Sequence, residues 1–199
     1  MSYECQECWY VERTFLSLSG SKRERERARA RARPPMSFLR ADATAYDLRL
    51  IQVKTSDVLS LPIAVSEQYP KGLKHTVPEI QEVLSTDATV YAKTQFSMVT
   101  EELREILKRE KRSQVVLCGI EAHACILQTA MDLMNDGIEV HVPIDAVSSQ
   151  RQQDSEIALR GMEAAGAVLT TAESTILELI RGSDHPKFKD ISGILKEGN

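Results

Sequence analysis

A cysteine set where a strand turns into a helix can act as a nucleophile, and Val115-Val-Leu-Cys-Gly-Ile-Glu-Ala-His-Ala-Cys125 has that form. Val115 to Ile120 is a short, β-branched, apolar run interrupted by Gly119, which predicts a buried parallel strand. The following stretch, Cys125-Ile-Leu-Gln-Thr-Ala-Met-Asp-Leu-Met-Asn-Asp-Gly137, carries helical spacing and a closing glycine. A thiol at a helix N-terminus meets oriented N–H groups and the positive end of the dipole, so its thiolate is favoured. The same residues also fit a cysteine that is only a small core side chain. Cys5-Gln-Glu-Cys8 is a lone CxxC with no second pair and no flanking strand–helix pattern, which speaks against a zinc or redox role.

The elements that must position Cys125 alternate. Pro62 to Glu67 reads as a strand, Val77 to Leu84 as a short helix or loop, Thr89 to Lys93 as a strand, and Glu101 to Lys111 as a charged helix with Leu103, Ile106 and Leu107 on one face. After the Cys125 helix come a strand at Glu139 to Ala146, a polar helix from Ser149 to Ala165 closed by Gly166, and a last strand at Ala167 to Thr171. Ser174 to Arg181 is a helix, and an amphipathic tail follows at Phe188 to Leu195. Repeated strand–helix–strand order implies a largely parallel sheet with helices on both faces, and sites in such sheets lie at the carboxyl ends of strands. Lys93, Glu121 to Cys125 and Asp145 fall at such ends.

The chain has 199 residues, 42% of them hydrophobic, enough for one sizeable core. No run approaches the roughly 18 apolar residues of a membrane helix, and none resembles a secretory signal. A soluble, cytoplasmic protein is expected, with the mitochondrion or nucleus as alternatives. The four cysteines, at 5, 8, 118 and 125, suggest thiols in a reducing compartment. Lys22 to Arg33 holds seven basic and two acidic residues, a net of +5. The whole chain carries −4, so the remainder carries −9. The block alternates strictly, Arg-Glu and then Ala-Arg, as dinucleotide repeats do when read in triplets. Residues 1–40 are therefore expected to be a disordered basic leader before a domain at 41–199, with residues 1–35 of leader or intronic origin and Met36 an alternative start. Basic runs can bind phosphate, but the interspersed glutamates and the lack of aromatics argue against a nucleic-acid arm.

Glu67-Gln-Tyr-Pro-Lys-Gly-Leu73, Ala92-Lys-Thr-Gln-Phe-Ser-Met98, Cys118-Gly-Ile-Glu-Ala-His-Ala-Cys125, Asp145-Ala-Val-Ser-Ser149 and His185-Pro-Lys-Phe-Lys189 together resemble the isochorismatase-like cysteine hydrolase superfamily, and most closely the animal isochorismatase domain-containing proteins. The likeness covers about residues 55–197. It implies an α/β fold, a three-layer α/β/α sandwich with a mainly parallel, Rossmann-like sheet in the order 3-2-1-4-5-6. In the amidase branch an Asp-Lys-Cys triad hydrolyses a carbon–nitrogen bond through a thioester. By motif position Cys125 is the implied nucleophile and Lys93 the cation that lowers its pKa. Without the resemblance, Lys93 reads as an ordinary surface lysine. Family members also carry a non-proline cis bond before the cysteine, falling here at Ile120–Glu121 and aiming the N–H groups of Glu121 and Cys125 at an oxyanion. His123 suggests a rival Cys–His dyad, but in the family this position varies and faces the pocket or a neighbouring subunit, implying a substrate-binding or packing role. His141 reads as core, and Asp145 as structural support. The nicotinamidase branch binds metal after its second strand, where this chain offers only His75, so no metal and no other cofactor is expected.

The front of the chain departs from the family. The Asp-Met-Gln-like motif ending the family's first strand, whose aspartate is the general base, has no match before residue 62. Tyr46 to Val53 is the nearest candidate strand, but only Lys54 to Leu61 follows it, too little for a parallel crossover. Asp42, Asp47 and Asp57 are not promoted to catalytic base, and Leu48 to Leu61 reads as the end of the family's first helix. Without its central strand the sheet would expose two edges, so either residues 40–53 replace it or the chain is unstable alone. Two functions follow. One is a hydrolase of a small amide or ester-like substrate. The other, favoured by the absent aspartate, is a weak or inactive module that binds a ligand or protein, or a truncated splice product. The expected partners are an unidentified small molecule and, as in relatives, further copies of the chain, with no membrane and no nucleic acid.

Overall fold

The computed structural model describes residues 8–12 and 43–197. Its elements are β1 (Cys8–Glu12), α1 (Ala43–Val58), β2 (Ile63–Gln68), α2 (Pro70–Leu73), α3 (Pro78–Gln81), β3 (Thr89–Lys93), α4 (Glu101–Arg109) and β4 (Gln114–Ile120). A π-helical turn (Ala122–Ile126) then leads into α5 (Leu127–Asn135), β5 (Glu139–Pro143), β6 (Val147–Ser148), α6 (Gln152–Ala165), β7 (Val168–Thr170), α7 (Ala172–Ile180) and α8 (Phe188–Glu197). Apart from β1, the predicted strands and helices stand where the periodicity places them, within a few residues.

The sheet runs β3-β2-β1-β4-β5-β7, with β6 pairing beside the end of β4. β2 is parallel to β3, and β4 is parallel to β5 and β6. β1 is antiparallel to both of its neighbours, Val11 standing opposite Ala64 on one side and Leu117 on the other. The family's central slot is thus filled, in the reverse direction. The residues that fill it come from the expected leader, whose other positions lie outside the described residues. Residues 43–58 do not supply the strand: they are helical, in agreement with the reading of Leu48 to Leu61 as the end of a first helix.

Helices cover both faces of the sheet, giving the three-layer α/β/α sandwich. On one side Ile51 of α1 packs with Ile176 and Ile180 of α7 and with Ile191 and Ile194 of α8. Ala130 and Leu133 of α5 and Ala158, Leu159 and Met162 of α6 join the main core with Val115, Leu117, Val140 and Val142 of the sheet. Thr100 caps α4 by accepting from Leu103 N, with Glu101 and Glu102 in the first turn and Lys108 and Arg109 in the last, as the dipole favours. Among the described residues no helix is long and apolar enough to cross a membrane.

Candidate active site

β2, β3, β4 and β5 all end at one edge of the sheet, and the strand order reverses between β1 and β4. In open α/β sheets such a reversal opens a crevice at the carboxyl edge. Lys93 ends β3, and the turn after β4 carries Cys125.

Lys93 is buried, 4% exposed. Its ammonium donates to Gln68 Oε1, across to the end of β2, and to the Gln95 carbonyl at 3.2 Å. Gln68 is itself held by Thr94 O, to which its Nε2 donates at 2.8 Å. Strands lie about 4.8 Å apart, so Gln68 draws the ammonium one strand toward the centre of the edge. Tyr69 N donates to the Lys93 carbonyl at 2.7 Å, and Tyr69 takes a left-handed backbone (φ 42°) that bulky residues adopt only where the surroundings fix it. Beside Lys93 lies a cleft of about 430 Å³, lined also by Tyr69, Lys71, Thr94 and Gln95.

Gly119 sits at φ 136°, a conformation that favours glycine, and the Ile120–Glu121 peptide is cis, as the resemblance implies. The chain then enters the π-helical turn. The Glu121 carbonyl accepts from Ala124 N at 3.1 Å and from Ile126 N at 3.2 Å, the two neighbours of Cys125. Cys125 is 2% exposed and packs in the main core. The segments that follow Lys93 and Cys125 are joined to each other: Met98, in the loop after Lys93, donates its N–H to Thr129 Oγ1 at 3.0 Å, one helical turn beyond Cys125.

His123 and Cys125 are two residues apart in a helical turn and so project from opposite sides. The imidazole is partly exposed, its Nδ1 lying 2.9 Å from Ser149 Oγ and 3.5 Å from Glu121 Oε2. This geometry does not bring it to the thiol as a dyad would require. His141 is buried on β5, with Nε2 3.2 Å from Glu139 Oε1. Asp145 Oδ1 accepts from Ala172 N at 2.8 Å, so the bond it makes goes to the first residue of α7. Burial pushes the Asp145 carboxyl above its ordinary value, against the lowering effect of that bond.

Glu67, next to Gln68, accepts from Thr76 N, Thr76 Oγ1 and His75 Nδ1, each at 2.8 Å. Burial raises its pKa, but the Thr76 and His75 bonds outweigh it and hold the carboxyl below its ordinary value of 4.5. A carboxylate depressed in the folded state stabilises above its unfolded pKa, and that contribution is lost as pH falls through the folded pKa. Glu67→Gln should therefore lower stability at pH 7 by about 1–3 kcal/mol and flatten the decline below pH 4.5. Urea melts from pH 7 to pH 3 read both effects; an unchanged acid limb would dismiss Glu67 as its source. Among the described residues no group of three His, Cys, Asp or Glu side chains could hold a metal ion.

Gln68, Ser149 and Arg49 at this edge escaped sequence reasoning. Gln68 and Ser149 belong to motifs that signalled the resemblance, which was the signal available for them. Arg49 had none.

Residues 52–174 match the model of the Isochorismatase domain. The chain is 46% identical over 145 residues to Isochorismatase domain-containing protein 2A of Mus musculus, covering 73% of this chain and 69% of that protein. It is 47% identical over 141 residues to Isochorismatase domain-containing protein 2 of Xenopus laevis, covering 70% and 67%. Among solved structures, the MAR1 ribonuclease of Caenorhabditis elegans aligns with a TM-score of 0.75 at 46% identity, covering 77% of this chain and 79% of that one.

Proposed function

Because the chain belongs to the isochorismatase family, we propose that it is a slow cysteine-dependent acyl hydrolase of a small amide or ester-like compound, with Cys125 as nucleophile and Lys93 as the assisting cation. The observation that carries this reading is the π-helical turn, in which the Glu121 carbonyl engages both neighbours of Cys125. Short π segments at the head of α-helices recur at functional sites. The thiolate attacks the carbonyl carbon, a C–S bond forms, and the carbonyl electron pair moves to oxygen, where the Glu121 and Cys125 N–H groups receive it. Collapse breaks the C–N bond and the amine leaves with the proton the thiol gave up. Water then splits the thioester, releasing the acid and restoring the thiol. Turnover is slow because no residue matches the family's aspartate.

That missing aspartate also favours the second reading, a ligand- or protein-binding module without catalysis. p-Nitrophenyl acetate and iodoacetamide separate the two. A hydrolase of the proposed kind gives a stoichiometric burst of p-nitrophenol from acylation of Cys125, then a slow steady state. Its alkylation by iodoacetamide is fast and slows when Lys93 is replaced. No burst, and labelling that does not depend on Lys93, identify the binding module. Since the Caenorhabditis elegans relative is named a ribonuclease, RNA is the second substrate to offer, and cleavage that survives Cys125→Ala would overturn the cysteine mechanism. A homo-oligomer is proposed with it, to be read by sedimentation.

A further inference from the structure

We propose that Arg49 is a positioning residue for the Gly119–Cys125 turn and acts on it through residues 146–150; this rests on the reading of Cys125 as an acyl-accepting thiol. Arg49 lies on α1 and is 7% exposed. A guanidinium removed from water costs several kcal/mol unless its N–H groups find good acceptors. Arg49 Nε donates to the Ala146 carbonyl at 3.2 Å and Nη2 to Ser148 Oγ at 2.9 Å, partners 97 and 99 residues along the chain.

Residues 146–150 hold the turn at successive points. The Ala146 carbonyl that receives Arg49 also accepts from Gly119 N at 3.1 Å. Ser148 pairs with Ile120 as β6 joins β4. Ser149 Oγ accepts from His123 N at 3.3 Å, and Gln150 N donates to Glu121 Oε2 at 2.9 Å. Every residue from Gly119 to His123 except Ala122 is thus fastened to this one segment, and Arg49 fixes the segment to α1. The support is needed because Gly119 lacks the side chain that would limit its backbone. The planar fork of arginine can hold two acceptors in a fixed relation, which a lysine ammonium cannot reproduce. Displacing the turn by about 1 Å would misplace the N–H groups that receive the oxyanion, at a cost of up to about a hundredfold.

The test compares two reactions of the full chain. Acylation by p-nitrophenyl acetate passes through a tetrahedral oxyanion, whereas iodoacetamide is attacked at its CH2 carbon with loss of iodide and forms none. Arg49→Met should slow acylation about 10- to 100-fold while leaving alkylation within about twofold, and Arg49→Lys should recover little. Ser148→Ala, a milder change that keeps the chain folded, should slow acylation about three- to tenfold. Hydrogen exchange across residues 119–125 should accelerate in Arg49→Met relative to β5 and α6. Equal effects on both reactions, no effect on either, or unchanged exchange at 119–125 would overturn the proposal. If the unmodified protein shows no burst, the Cys125 reading fails, and the exchange comparison alone decides whether Arg49 holds the turn.

Discussion

Val11→Pro is expected to lower stability by about 3 kcal/mol or more, the usual cost of proline in a regular element whose N–H is used. Val11 stands at the middle of β1, opposite Ala64 of β2 and Leu117 of β4, so a break there disturbs two ladders together. For a chain of this size the loss corresponds to a fall of about 6–12 °C in the thermal midpoint. Removing residues 1–35 should do more. It takes away the whole of β1 and bares the facing edges of β2 and β4. Each orphaned, buried backbone group costs about 1–3 kcal/mol, and a few of them exhaust a typical total stability of about 5–15 kcal/mol. The shortened chain should aggregate through those edges. Calorimetry with light scattering checks both; a Val11→Pro midpoint equal to that of the unmodified chain, or a cooperative, soluble truncation with a high midpoint, would show that the slot does not depend on Cys8–Glu12.

Lys93→Met should separate activity from stability. If the ammonium supports the thiolate and the developing oxyanion, its removal costs on the order of 10²–10³ in the acylation rate, as for loss of an oxyanion donor. The folded state has two opposing responses. Gln68 Oε1 loses the Lys93 donor in a buried setting, which costs about 1–3 kcal/mol. Against this, a charge no longer has to be taken out of water, a relief of several kcal/mol. The variant should melt no lower than the parent while losing its burst. A sharply lowered midpoint with the burst intact would make Lys93 a structural residue.

The parts of the fold legible in the sequence are those whose burial is local and periodic. Thr89–Lys93 has the bounds read for it, and α4 shows Leu103, Ile106 and Leu107 on one side because nothing else on that helix is buried. α1 hides its period. Arg49, Gln52, Thr55 and Ser56 are all buried beside Ile51 and Val53, so polar and apolar residues share the inner face. Arg49, Gln52 and Ser56 can do so because they have partners far away or within the helix: Gln52 Nε2 donates to Ala172 O at 3.1 Å, and Ser56 Oγ to Gln52 O at 2.8 Å. Such a segment resembles neither an amphipathic helix nor a strand until its partners are known. β1 was hidden for another reason. Five residues carry little periodicity, and the reverse direction matches no family motif. In the candidate site, Cys125, Lys93 and the turn were legible as motifs, whereas the Arg49 contact at nearly a hundred residues' separation leaves no local trace.

The Met98–Thr129 bond has a consequence for how a ligand gets in. It joins the loop after Lys93 to the helix after Cys125, so those two segments move together and separating them would break a buried hydrogen bond. The Tyr69–Lys71 wall of the cleft is different. α2, Pro70–Leu73, has no buried residue, and Tyr69 before it is 52% exposed. Segments with so little buried surface open at small free-energy cost. Widening of the cleft is therefore expected first on the Tyr69–Leu73 side, and not through the loop that follows the lysine.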